Sequence, residues 1–257
     1  MTASPAGVID LHDRVAFVTG GSRGIGAATV RALHGAGARV FFTYRDRAAD
    51  AEALRAELRD GVEAYRLDVA DGAALPAAVE ACIRRFGRLD ILVNNAATFA
   101  QNRFDAGDYD AWRAGWRRTF DVNLFGAADL AWLAMRGMRE RGDGVVVNVA
   151  SRAAHRGELT FADYGASKAA LVNLTKSIAR SCAPHGIVAF AVAPGFVATE
   201  MAADEIALRG AEIAAEIPVG RVATPEEVAH VIAFVCTPLA RHLNGATLDV
   251  NGGSYVR

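Results

Sequence analysis

The sequence predicts a single α/β domain over residues 1–257, built as a doubly wound, seven-stranded parallel sheet flanked by helices. Three observations carry this expectation. Short β-branched runs alternate with long helical patterns, which implies right-handed crossovers and a parallel sheet. The runs are apolar almost throughout, as strands covered on both faces must be. A glycine-rich turn follows the first run directly and opens the first helix.

Taken in order, the first strand is Val15-Ala16-Phe17-Val18-Thr19, and a helix follows over 24–34. With the second strand at 40–43, residues 12–44 form the opening βαβ unit. A helix at 47–59, a strand at 64–67, a helix at 73–86 and a strand at 91–94 continue the alternation. One long helix is expected over 109–139, then a strand at 145–149 and a helix at 161–183. The sixth strand lies at 188–193 and the seventh at 247–250. Between them, Thr224-Pro225-Glu226-Glu227 opens a helix over 226–236, with Thr as cap, Pro at the first position and acids in the first turn. Residues 196–222 show the weakest pattern and are read as a lid; with 152–158 they should line a substrate pocket.

Composition narrows the function. Lys+Arg 28 against Asp+Glu 29 leaves a formal charge of −1, which gives no electrostatic reason to expect nucleic acid or a membrane as partner. A hydrophobic fraction of 52% suits a filled core and argues against disorder. Cys82, Cys182 and Cys236 are odd in number and dispersed within expected helices, so they read as small core residues, with no metal site or disulfide framework. Met1 to Gly7 has neither a charged nor an apolar signal region, and no stretch is long enough to span a bilayer. A cytoplasmic location is the expectation. Trp112, Trp116 and Trp132 read as core or interface packing, and the Arg113–Arg141 cations as a solvated helical surface.

Ligands in such sheets bind at the carboxyl ends of the strands, near the point where strand order reverses. In Thr19-Gly20-Gly21-Ser22-Arg23-Gly24-Ile25-Gly26, three glycines let the backbone turn tightly and approach a pyrophosphate, whose charge the helix N-terminus favours. The second strand ends in Thr43-Tyr44-Arg45, without the acid that binds a ribose 2′-hydroxyl. Arg23 and Arg45 converging there would favour a 2′-phosphate, hence NADP(H) over NAD(H). The alternative is that Arg45 is a solvated loop residue and Arg23 merely caps the turn.

Tyr164 and Lys168 are four apart in a predicted helix and share one face. A free phenol has a pKa of about 10, and a fixed cation nearby should lower it toward the range suited to proton transfer. Ser151, just beyond the fifth strand, is placed to hydrogen-bond a carbonyl oxygen while Tyr164 donates the proton.

Together these motifs resemble the short-chain dehydrogenase/reductase family across nearly the full length, most nearly its 3-oxoacyl-carrier-protein reductases. The resemblance implies the Rossmann fold and gives further residues their roles. Thr19–Gly26 is similar to the family's cofactor turn, and Leu67-Asp68-Val69 to the motif whose Asp meets the adenine. Asn94-Asn95-Ala96-Ala97 resembles its N-N-A-G motif, with Ala97 for the last Gly. Asn123 takes the helix-breaking position and holds a water beside Lys168, completing an Asn123–Ser151–Tyr164–Lys168 tetrad. Pro194, Gly195, Val197 and Thr199 resemble the nicotinamide contacts, and Asn251-Gly252-Gly253 the C-terminal D-G-G turn. Gly142 and His185 stand where carrier-binding members have basic residues. The helices over 109–139 and 161–183 would form the interfaces of a homotetramer.

The expected activity is hydride transfer between NADP(H) and a ketone or secondary alcohol, as a ketoreductase on a 3-oxoacyl thioester or other biosynthetic ketone. Two alternatives stand beside it: an NAD-dependent alcohol or sugar dehydrogenase, and a cofactor-binding sensor or scaffold without turnover.

Overall fold

The computed structural model describes residues 9–105 and 107–257; the reading of residues 1–7 lies outside them. The strands are β1 (Val15–Val18), β2 (Arg39–Tyr44), β3 (Val62–Arg66), β4 (Ile91–Asn94), β5 (Gly144–Val149), β6 (Ile187–Pro194) and β7 (Thr247–Val250). All neighbours run parallel in the order β3-β2-β1-β4-β5-β6-β7. The order reverses between β1 and β4, which places a crevice at their carboxyl ends.

Alternation along the strands divides the core into two layers. Ala16 and Val18 point to one face and pack with Val30 and Leu33 of α1 (Gly24–Gly35), Leu54 of α2 (Ala48–Leu58) and Ile232 of α8 (Pro225–Val235). Val15 and Phe17 point to the other, against Leu75 of α3 (Leu75–Phe86), Leu130 of α5 (Gly126–Arg141) and Ile178 of α6 (Ala162–Cys182). Each large apolar side chain so buried contributes about 1.5–3 kcal/mol. Two covered faces explain why the strands read as continuous apolar runs.

Three elements differ from expectation. The long helix breaks into α4 (Tyr109–Phe120) and α5 around a π-helical turn at Asp121–Phe125. β3 begins earlier, because Val62 is buried and pairs with Val40. The 196–222 segment contains a helix, α7 (Ala203–Ala215), kinked at Arg209. Ile213 alone of its residues is buried, so α7 has no apolar stripe to betray it. No helix among the described residues is long and apolar enough to cross a membrane.

Candidate active site

The glycine turn has the geometry its sequence implies. Gly20 and Gly24 adopt φ of +65° and +53°, the left-handed region that favours glycine. Asn95, at the end of β4, donates through Nδ2 to the carbonyls of Thr19 (2.9 Å) and Gly20 (3.1 Å). Thr19 Oγ1 accepts from the backbone N–H groups of Asn95 and Ala96, each at 2.9 Å. The turn is thus fastened to the strand across the crevice. Thr199 abuts it from the other side, its Cγ2 lying 3.2 Å from where a Cβ on Gly24 would be.

These residues fit a dinucleotide. The first turn of α1 has no capping side chain and no acid, so its N–H groups around Ser22–Ile25 are left for an anion. α8, by contrast, carries a complete capping box between Thr224 and Glu227. A cleft of about 680 Å³ beyond β2 and β3 is lined by Arg45, Leu67, Asp68 and Arg118, among others. Asp68 accepts from the Ala70 N–H (3.0 Å) and Arg118 (2.9 Å). Burial alone would raise its carboxyl, but these two donors outweigh it and hold the group below the ordinary range. Val69 supplies packing: its carbonyl lies against Gly126, where a Cβ would overlap it. Tyr44 packs on the core beside its own backbone bond to Leu67.

Arg23 and Arg45 do not converge. Arg45 pairs with Asp46 (2.6 Å), whereas Arg23 donates to Glu200 (2.7 Å). Arg47 joins Arg23 on the same Glu200 oxygen at 2.6 Å. Two guanidinium groups therefore do meet, but the second is Arg47, whose only signal was its place after Arg45. Ion pairing, not chain proximity, decided the partner.

At the ends of β5 and β6 the remaining candidates assemble. Ser151 caps the short turn Arg152–Ala154, its Oγ accepting from the Ala153 N–H at 3.1 Å. Tyr164 and Lys168 stand on α6, where Lys168 Nζ donates to the Val149 carbonyl at 2.7 Å and lies 5.7 Å from the Tyr164 ring centre. Asn123 sits in the π turn with its amide engaged: Oδ1 accepts from the Thr98 N–H (2.8 Å), and Nδ2 donates to the Thr98 carbonyl (3.2 Å) and to Ser167 Oγ (3.0 Å). Ala97 adjoins this contact, and Pro194–Gly195 ends β6, with the Gly195 N–H donating to Val250. Val197 pairs with Ala223 in an isolated parallel bridge.

A family model described as enoyl-(acyl carrier protein) reductase matches residues 20–255. The chain belongs to the short-chain dehydrogenase/reductase family. It is 41% identical to a cis-4-hydroxycyclohexanecarboxylate dehydrogenase from Sinomonas cyclohexanicum, covering 94% of this chain and 96% of that one. It is 34% identical to the 3-oxoacyl-[acyl-carrier-protein] reductase FabG of Vibrio cholerae, covering 96% and 100%. Among solved structures it superposes on a short-chain dehydrogenase/reductase, glucose/ribitol dehydrogenase, from Brucella melitensis with a TM-score of 0.89, at 31% identity and 97% and 99% coverage. The protein is accordingly an oxidoreductase of a family that uses NAD(P)(H).

Within this short-chain dehydrogenase/reductase, the electrostatics of the tyrosine–lysine pair differ from the sequence expectation. Burial pushes the Tyr164 phenol up to about 12, against the opposing hydrogen bond from Ser151. Burial also pushes the Lys168 ammonium down to about 8. The cation lies beneath the ring face and bonds a carbonyl, so it does not depress the phenol. Sequence reasoning also missed Asp163, which is buried and accepts from Thr119 Oγ1 (2.6 Å) and the Tyr164 N–H (2.9 Å), fixing the start of α6. Phe99 meets the Tyr164 ring edge-on at 4.9 Å. Neither residue belongs to a recognisable local pattern.

Of the cysteines read as core residues, Cys182 is only half-buried, and Trp132 is 60% exposed, which leaves interface packing of its two expected roles.

Proposed function

We propose that the protein is an NADP(H)-dependent ketoreductase, acting on a 3-oxoacyl thioester or other biosynthetic ketone. The observation that carries this reading is the gathering of Ser151, Tyr164 and Lys168 at the ends of β5 and β6, facing the glycine turn's crevice. When bound, the dinucleotide supplies the hydride. Ser151 orients the carbonyl oxygen, and Tyr164 delivers its phenolic proton to that oxygen as the alcohol forms. A phenol that keeps its proton at neutral pH suits the reductive direction. Lys168 binds the nicotinamide ribose, and Asn123 holds the turn that carries a proton-relay water. Positioning and donors aimed at the developing oxyanion supply most of the rate.

NADP(H) is favoured by Arg23 and Arg47, from which a 2′-phosphate would displace the Glu200 carboxylate, and by an acid-free end to β2. Paired guanidinium donors match phosphate oxygens. Gly20, Ser22, Gly24, Ile25 and Gly26 cradle the pyrophosphate; Tyr44, Asp68 and Val69 flank the adenosine; Asn95, Ala96, Ala97, Pro194, Gly195, Val197 and Thr199 line the nicotinamide half. Residues 196–222 act as lid to one catalytic domain. Docking of a carrier protein is disfavoured, because Arg141 is bonded to the Leu89 carbonyl and Gly142 closes α5 in the left-handed region. Exposed Tyr109, Phe125 and Trp132 on the α4–α5 face support a homotetramer, and the free cysteines a cytoplasmic location.

A second reading, a dehydrogenase of a hydroxy acid, is favoured by the 41% identity to a dehydrogenase named for a carboxylate-bearing secondary alcohol. Purified protein assayed on ketones and alcohols with all four nicotinamide cofactors tests both. Faster NADPH oxidation with ketones supports the first reading, and faster NAD reduction with alcohols selects the second. Tight cofactor binding without turnover on any substrate overturns both in favour of a sensor or scaffold.

A further inference from the structure

Arg152 follows Ser151 directly and is 6% exposed. Among the described residues its side chain makes no hydrogen bond and no ion pair, and Nη1 is fully buried without a partner. Its guanidinium carbon lies 4.8 Å from the Phe196 ring centre, over the residue that follows Pro194–Gly195. Guanidinium does not shed its proton in proteins, so burial leaves a permanent charge with unfilled donors. Nearby charges do not fill them. Glu158 is paired with Arg156 at 3.4 Å, and Glu216, at the end of α7, acts only at longer range. A native fold rarely leaves so large a donor set idle unless something else completes it.

We propose that Arg152 binds a carboxylate carried by the substrate itself, so that the enzyme's ketone is an oxo acid. This rests on the reading of the site as a carbonyl–alcohol oxidoreductase. Arg152 is joined to Ser151, the group that orients the carbonyl, and stacks on Phe196 just after Pro194–Gly195, which puts an anion on the same substrate within its reach. An acyl thioester presents an uncharged sulfur there, and its phosphates lie far along the carrier arm. A planar carboxylate matches the guanidinium fork. Burial raises the selectivity, because a neutral ester or amide in the same place leaves the cation unpaired.

The test compares a 4-oxocycloalkane carboxylate with its methyl ester, using wild type, Arg152→Met and Arg152→Lys. The wild type is expected to favour the carboxylate by about tenfold or more in kcat/KM, as a charged hydrogen-bonded pair implies. In Arg152→Met the carboxylate-to-ester ratio falls to near one, and Arg152→Lys lies between. An equal ratio, or preference for the ester, in the wild type overturns the inference without recourse to any variant. So does a ratio left intact in Arg152→Met. Turnover of neutral ketones with no preference sinks only this assignment, whereas no ketone turnover at all removes the oxidoreductase reading on which it stands.

Discussion

Replacing Gly26 by Ala tests the architecture of the glycine turn without any ligand. A Cβ at this position would overlap the Gly20 carbonyl oxygen and approach its carbon to 2.9 Å and Asn95 Nδ2 to 2.6 Å. The first obstacle is backbone and cannot rotate away. Relief requires the turn to move off α1, which breaks the Asn95 bonds to Thr19 and Gly20. Two hydrogen bonds at about 1 kcal/mol each and overpacking of about 1–3 kcal/mol give a loss of about 3–5 kcal/mol. At about 2–4 °C per kcal/mol for a chain of this size, Tm should fall by about 6–20 °C. Gly35→Ala, at the far end of the same helix, meets nothing within 4 Å and should leave Tm unchanged or slightly raised. Thermal unfolding by circular dichroism on nucleotide-free protein reads both. If Gly26→Ala melts within a degree of wild type, the turn is not packed against α1 as described.

Two further outcomes follow from the same reasoning. Lys168 has its folded pKa pushed down to about 8 from 10.5, so below pH 8 the fold carries the cost of a buried cation, about 3 kcal/mol. Between pH 8 and 10.5 the unfolded chain holds the proton that the folded chain has released, so stability rises with pH. Lys168→Met removes that cost and the bond to Val149, and urea denaturation should find it more stable than wild type by about 2 kcal/mol at pH 7, with the gap closing and changing sign by pH 10.5 as only the lost bond remains; a gap independent of pH would contradict the cause given. Thr224→Ala deletes the cap that accepts from the Glu227 N–H at 3.3 Å and should cost about 1 kcal/mol, or about 2–4 °C in Tm; no change would mean that Glu227 alone holds the start of α8.

The strands were legible because burial on both faces writes itself as apolar runs, and α8 because Thr224, Pro225 and Glu227 are local signals. Spacing puts Tyr164 and Lys168 on one face of α6, and the strand pattern puts Ser151 just beyond β5. The rest depended on partners remote in sequence. The family resemblance marks Asn123 as a helix-breaking position, but nothing local shows that the break is a π turn whose consequence is contact with Thr98 and Ser167. Arg47 meets Arg23 only because Glu200 stands between them. The Tyr164 shift depends on how deeply α6 seats the ring, and the charge four residues away, visible in the sequence, turned out to bond a carbonyl instead. Arg152 and Asp163 are charged residues that composition assigns to the surface and tertiary packing buries.

The central claim is that the Tyr164 phenol is the proton donor to a ketone held by Ser151. Tyr164→Phe keeps the ring and its edge contact with Phe99 and removes one oxygen. Steady-state ketone reduction across pH 6–9, with wild type and this variant compared at matched Tm, tests the claim most directly. The expected result is a fall in kcat of about 100- to 10,000-fold, the range for loss of a general acid, with cofactor affinity preserved. Turnover within tenfold of wild type would assign the proton to another group and contradict the mechanism.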